Sequence, residues 1–290
     1  MTDIREIHRS GDKLGEVPVW DVAEQALYWV DIENCRLRRL DHRTGRVDEW
    51  TFPERIGSFA LRQNGGLVCA LESGFAFFEP STGEISWIAK PEAHIARNRF
   101  NDGKCDRQGR FWAGTMDDRL REHTAALYRL DPDLTVTRAE TGIGISNSLA
   151  WSPDETTFYF ADTLDRAIYA YDFDRTAGSI SGKRLFASTQ DDPGSPDGST
   201  IDAEGFLWNA QWDGWRLVRY APDGSVDRIV ALPVQKPTSC MFGGPDLTTL
   251  YVTTAVWDLS GAALAAQPLA GSVLALDVDV PGLPEPRFRG

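Results

Sequence analysis

The chain has 290 residues, 42% hydrophobic and 25% charged, the balance of a globular protein long enough to bury a sizeable core. Its net charge of −13 argues against nucleic acid, which needs a basic surface, and against an anionic membrane face. A neutral or cationic ligand, or a metal ion, suits this balance.

The first ten residues, MTDIREIHRS, lack the apolar stretch of a secretory signal. Residues 3–10 precede the first repeat and are expected to pair into the last one. Six short runs rich in aromatic and β-branched residues follow: Leu27-Tyr28-Trp29, Gly66-Leu67-Val68, Arg110-Phe111-Trp112, Phe158-Tyr159-Phe160, Phe206-Leu207-Trp208 and Leu250-Tyr251-Val252. They recur every 39 to 48 residues, close to the ~40–50 residue period of propeller blades. Hairpin-forming turns such as Asp106-Arg107-Gln108-Gly109 and Asp202-Ala203-Glu204-Gly205 precede them. A second alternating run follows each, at 37–41, 75–79, 126–131, 168–172, 217–220 and 273–277. Each unit thus reads as four strands. Only 259–267 suggests a helix, and it lies in one blade's loop. The expectation is an all-β, six-bladed propeller in one domain, 1–290, with a central metal-binding channel.

The four cysteines, Cys35, Cys69, Cys105 and Cys240, form no CxxC pair and read as reduced core thiols of a cytoplasmic protein. No stretch suits a membrane span, and no zinc-protease, nucleophile-elbow or phosphate-loop motif is present. Asp172-Phe173-Asp174 begins like a calcium loop but lacks its glycine and glutamate, so it reads as a strand end and turn. Trp212, Asp213 and Trp215 either wall a pocket or pack between blades.

The repeat also serves as a ruler. About ten residues before each aromatic run lies the start of an inner strand, facing the channel mouth. There stand Glu16, Gly57, Asn101, Asn147, Asp197 and, in the sixth unit, Ser239-Cys240-Met241. Glu16, Asn101, Asn147 and Asp197 offer side-chain oxygens in one phase, the donor set that a divalent cation needs. Taken singly, Asn-Asp-Gly and Pro-Asp-Gly are also ordinary turn sequences.

At these residues the chain resembles the senescence-marker/gluconolactonase family, which takes in regucalcin and bacterial sugar lactonases, and within it the xylono- and arabinonolactonases. The resemblance rests on Leu14-Gly15-Glu16-Val17-Pro18-Val19-Trp20, Arg99-Phe100-Asn101-Asp102-Gly103-Lys104, Gly109-Arg110-Phe111-Trp112-Ala113-Gly114-Thr115-Met116, Ile145-Ser146-Asn147, Pro196-Asp197-Gly198 and Cys240-Met241-Phe242-Gly243-Gly244. It implies that Glu16, Asn147 and Asp197 ligate one divalent ion (Ca²⁺, Zn²⁺, Mn²⁺, Mg²⁺ or Fe²⁺). It implies that Asp197 is the general base and that Arg99 and Asn101 contact a sugar lactone. Animal members carry a substrate-contacting glutamate in the loop after Ala-Gly-Thr-Met. Here that position is Arg119, preceded by Asp117 and Asp118, and the three are expected to contact substrate. The implied activity is metal-dependent hydrolysis of an aldonolactone by a monomer or weak homo-oligomer, with Asn101 and the metal stabilising the oxyanion. Alternatives are a calcium-binding regulator without lactonase activity, a metal-dependent esterase or organophosphate hydrolase, and a protein-interaction propeller.

Overall fold

A computed structural model describes residues 3–290. Six four-stranded antiparallel sheets follow one another around an axis. The innermost strands are Gly15–Asp21, Ile56–Leu61, Asn98–Cys105, Ser146–Trp151, Ser195–Ile201 and Pro237–Gly243, and neighbouring inner strands touch around the ring. Burial falls outward. The inner strand of blade one is buried throughout, whereas the outermost strands Glu84–Ala89 and Val226–Ala231 are largely exposed. Inner strands pack against blades on both sides, so their side chains have no solvent face.

The ring closes as expected. Ile4–His8 pairs antiparallel with Val273–Asp277, so the sixth blade takes its outer strand from the N-terminus. This removes the open edge between first and last blades. The helix Gly261–Ala266 falls inside the expected segment, N-capped by Ser260, whose hydroxyl accepts from the Ala263 N–H. Asp172 and Asp174 lie at a strand end, and Asp174 caps the following turn at Thr176 and Ala177. All four cysteines are free, three of them buried, while Cys35 is only half-buried at a positive-φ turn position.

Two blades share a polar anchor. Asp106 accepts from the backbone of Gln108 and Arg110 and from the Trp112 indole at 2.9 Å. Asp202 does the same for Glu204, Phe206 and the Trp208 indole at 2.9 Å. One carboxylate thereby fixes the hairpin turn and a fully buried tryptophan. Truncating such a tryptophan typically costs about 3–5 kcal/mol.

The inner strands all run the same way, so the channel has two unlike ends. Their C-terminal ends meet the last residues of the chain. Pro281 accepts from Ala203, Gly282 donates to Leu247, and Phe288 exchanges backbone bonds with Leu61 and Gln63. Arg289 donates to Gly109, and Arg287 pairs with Asp21 at 2.6 Å. Phe288 is wholly buried. This segment closes one mouth of the channel, and the other mouth, at the N-terminal ends of the inner strands, stays open.

Candidate active site

The open mouth is shaped by an irregularity common to every blade. In each inner strand the pairing with the second strand slips near its start, as between Glu16 and Val19, Phe100 and Gly103, Asn147 and Ala150, and Pro196 and Ser199. In these four blades two inner-strand residues face one on the partner strand. Such a bulge re-aims the side chains beside it. Val17 and Ser148 accordingly take φ values of 46° and 64°. Glu16, Asn101, Asn147 and Asp197 flank or occupy these bulges. In blades two and six the slip spans one residue, Gly57 and Thr238. The sixth-blade equivalent is therefore Thr238 rather than Ser239-Cys240-Met241. A residue count cannot register the shorter bulge.

Above these strand starts lies a cavity of about 150 Å³ lined by Glu16, Arg99, Asn101, Asp118, Asn147 and Asp197 among its polar groups. Six of the eight site residues expected from sequence thus meet in one place, and Asp117 and Arg119 do not. Asp117 is buried and accepts from the backbone of Arg119, Arg121 and Glu122. Burial works against its charge, but these hydrogen bonds outweigh it and hold the carboxyl below its usual range. The repeat explains this role. Asp31, Asp117 and Asp162 each end the second strand of a blade, and Asp31 and Asp162 likewise take backbone N–H groups. Arg119 is exposed and borders a separate surface depression with His94, Ile95 and Arg97. Of the three, Asp118 faces the cavity.

Asp118 is held by two guanidiniums. Arg99 Nε donates to Oδ1 at 3.0 Å, and Arg55 grips both oxygens at 3.0 Å each. Burial raises the Asp118 pKa, but the hydrogen bonds from Arg55 and the charge of Arg99 win, and the group stays ionised. Arg99 also donates through one terminal nitrogen to Asn101 Oδ1 at 2.9 Å and to the Phe100 carbonyl at 3.0 Å. Its other terminal nitrogen has no partner among the described residues, leaving a donor for a ligand.

Asn101 is already saturated. Its amide hydrogens go to the Ser146 carbonyl at 2.9 Å and to Asn147 Oδ1 at 3.1 Å. It therefore has no donor left for an oxyanion and acts instead by fixing its neighbours. Asn147 is oriented by a chain of bonds. The Thr163 hydroxyl spends its single hydrogen on the Pro196 carbonyl at 2.7 Å, so it can only accept from Asn147 Nδ2, at 2.8 Å. The amide is thus turned with its oxygen away from Thr163, on the cavity side.

The carboxylates beside that oxygen are poorly compensated. Glu16 accepts one N–H, from Val17 at 3.1 Å. Burial, reinforced by Asp102, raises its pKa, and burial with Glu16 and Asp102 raises that of Asp197 further. Asp102 itself points down the channel and is tied to the Gly103 and Ser148 N–H groups at 2.8 and 2.9 Å. Two buried carboxylates and one aimed amide oxygen, with no cation bonded to them among the described residues, fit a divalent ion that would neutralise them. A second group, His123, Asp162 and Asp165, brings ligand atoms within 4.8 Å at the rim. There the imidazole already contacts Asp165 at 2.8 Å, and Asp162 is spent on backbone N–H groups.

Apolar groups complete the cavity: Leu14, Met116, Leu120, Ile145, Trp212 and Trp257. Trp212 walls the pocket, while Trp215 is 43% exposed and Asp213 pairs with Lys236 at 2.8 Å. Arg55, Thr163 and Trp257 were not expected from sequence. Arg55 and Thr163 act through other residues, and Trp257 sits in a long non-repeating loop between Thr254 and Val273, so no motif marks them.

Comparison with known proteins agrees with this fold. The profile of the family described as SMP-30/Gluconolactonase/LRE-like region matches residues 14–256. A 6-deoxy-6-sulfogluconolactonase of Pseudomonas putida is 40% identical over 282 residues, covering 97% of each chain. An L-arabinolactonase of Azospirillum brasilense is 38% identical, covering 99% of each. The crystal structure of a calcium-binding regucalcin from Agrobacterium tumefaciens superposes with a TM-score of 0.96 at 30% identity, over 100% of this chain and 98% of that one.

Proposed function

The chain belongs to the SMP-30/gluconolactonase/LRE-like family, and from that premise we propose that it is a metal-dependent sugar lactonase, opening an aldonolactone to the aldonic acid. The observation that carries this reading is the convergence of Glu16, Asn147 and Asp197 in one cavity with the free donor of Arg99. Named relatives that act on sugar lactones support it.

Glu16, Asn147 and Asp197 are the residues that would hold one divalent ion. An all-oxygen set favours Ca²⁺, Mg²⁺ or Mn²⁺ over softer metals. When bound, such an ion supplies Lewis-acid polarisation of the lactone carbonyl. Arg99, fixed by Asp118 and Asn101, offers its unpaired terminal N–H groups to ring hydroxyls or the carbonyl. Asp118 is the acceptor on the same side. Asp197, which the charge of a bound ion would keep ionised, takes a proton from the attacking water as the new C–O bond forms. The ring C–O bond then breaks, and the departing ring oxygen receives that proton. The new carboxyl group releases its remaining proton to solvent at neutral pH, and an acidic protein does not retain the resulting anion.

The free cysteines suit a reducing, cytoplasmic compartment, where the 290 residues would work as one domain, monomeric or weakly self-associated. The test is Asp197→Asn, assayed against a panel of aldonolactones with each divalent ion added back. The expected result is loss of hydrolysis with an unchanged circular dichroism spectrum. Full activity in that variant overturns the role.

A further inference from the structure

The cavity has two unlike sides, and the blade order sets them against each other. Blade three brings Arg99 and, from its 118–124 loop, Asp118. Blade six lies opposite in the six-membered ring and brings Trp257, with Trp212 of blade five and Leu14 of blade one on either side. The first side is a clamped donor and acceptor pair. Above the carboxylates of the floor, the second side offers two indole rings and an isobutyl group, side chains that carry no oxygen.

Nor does the second side carry free charge. Lys13 sits 4.9 Å from the Trp257 ring centre but pairs with Glu33 at 3.2 Å. Lys236 sits 4.1 Å from the Trp212 ring centre but pairs with Asp213 at 2.8 Å. Both cations lie against the tryptophans and are neutralised by carboxylates. At the lip, Leu120 is 51% exposed and held at φ 57°, adding an apolar edge to the opening.

A lactone whose carbonyl lies over Glu16, Asn147 and Asp197, with its ring hydroxyls toward Arg99 and Asp118, turns its exocyclic carbon to the tryptophans. A hydroxyl carried there gives up water and finds no acceptor, which is unfavourable, whereas a methyl gains apolar contact. Resting on the lactonase reading above, we propose that Trp212, Trp257 and Leu14 set specificity, selecting lactones that end in a methyl or a hydrogen. The 1,5-lactones of 6-deoxyaldonic and pentonic acids, whose ring carbon C5 carries a methyl or only hydrogen, fit this wall, and hexono-1,5-lactones with a hydroxymethyl or anionic group there do not.

The test uses two freshly prepared lactones that differ by one oxygen, L-fucono-1,5-lactone and L-galactono-1,5-lactone, on the ion-loaded full chain. The expected ratio of kcat/KM is roughly 10- to 100-fold in favour of the fucono compound, the range an apolar pocket achieves against an added hydroxyl. Trp257→Gln, which supplies an acceptor, is expected to bring the ratio below about 3-fold by improving the galactono substrate. In parallel, tryptophan fluorescence reads binding of the carbonyl-free ring ethers 1,5-anhydro-L-fucitol and 1,5-anhydro-L-galactitol. Tighter binding of the deoxy ether supports the wall even if neither lactone is hydrolysed, an outcome that would remove the lactonase reading alone. Equal turnover with equal ether binding, or preference for the hydroxylated member of either pair, overturns the proposal.

Discussion

Blades one, three, four and five differ from blades two and six at one position of the same fold. All six inner strands slip register near the channel mouth. In the four blades two residues bulge and an acid or amide turns toward the cavity. In the other two a single residue bulges. Gly57 there lies so close to blade three that a Cβ would meet the Phe100 carbonyl oxygen at 2.5 Å. Thr238 donates its hydroxyl to the Gly15 carbonyl across the blade boundary and is not part of the cavity lining. The bulge is therefore a property of the architecture, and the side chain beside it is where chemistry is added. In the two silent blades the position holds neighbouring blades together.

Four measurements can break or sharpen that contrast. The largest effect is expected at Asp197→Asn, where losing both a negative charge on the metal and the base should lower kcat by more than about 10³-fold with the fold intact, read by the lactone panel and circular dichroism. Next is Thr163→Val, which removes the partner orienting Asn147. Ion affinity measured by calorimetry should fall roughly 10- to 100-fold, the usual cost of an outer-shell partner. Gly57→Ala tests a silent blade. Overpacking against Phe100 should cost about 1–3 kcal/mol, seen as a lower Tm by thermal unfolding. A cost no greater than that at a surface site would undo the contrast.

The smallest effect is in pH. Burial raises the Glu16 and Asp197 pKa values in the folded chain, so the ion-free protein holds their protons more tightly folded than unfolded. Its stability is then greatest near ordinary carboxylate pKa values and falls as pH rises from about 5 to about 8. Saturating divalent ion should flatten that fall, because it replaces the proton as the compensating charge. A Tm that rises with pH in the ion-free protein would contradict the assignment of uncompensated carboxylates.

Much of this arrangement was legible in the sequence, because a propeller writes its geometry as a period. The aromatic runs, the N-terminal strand that closes the ring and the shared phase of Glu16, Asn101, Asn147 and Asp197 all follow from repetition. What repetition did not carry was local or non-repeating. Asp117 and Asp118 are neighbours with opposite fates, since the first ends a strand and caps its own loop while the second lies one residue into that loop and faces the cavity. Arg55 reaches Asp118 from another blade, and Asn101 exhausts its donors on residues 45 and 46 positions away. Such relations exist only once the blades stand side by side.

The C-terminal segment that ties Leu247, Ala203, Gly109 and Leu61 together has one more consequence. With its far end stoppered, the channel is a vessel with a single doorway. Whatever arrives and whatever is made must use the same opening, past Leu120 and Trp257. An aldonate still leaving therefore excludes the next lactone, so product inhibition should be competitive, and traffic through that doorway bears on turnover as directly as the chemistry at its floor.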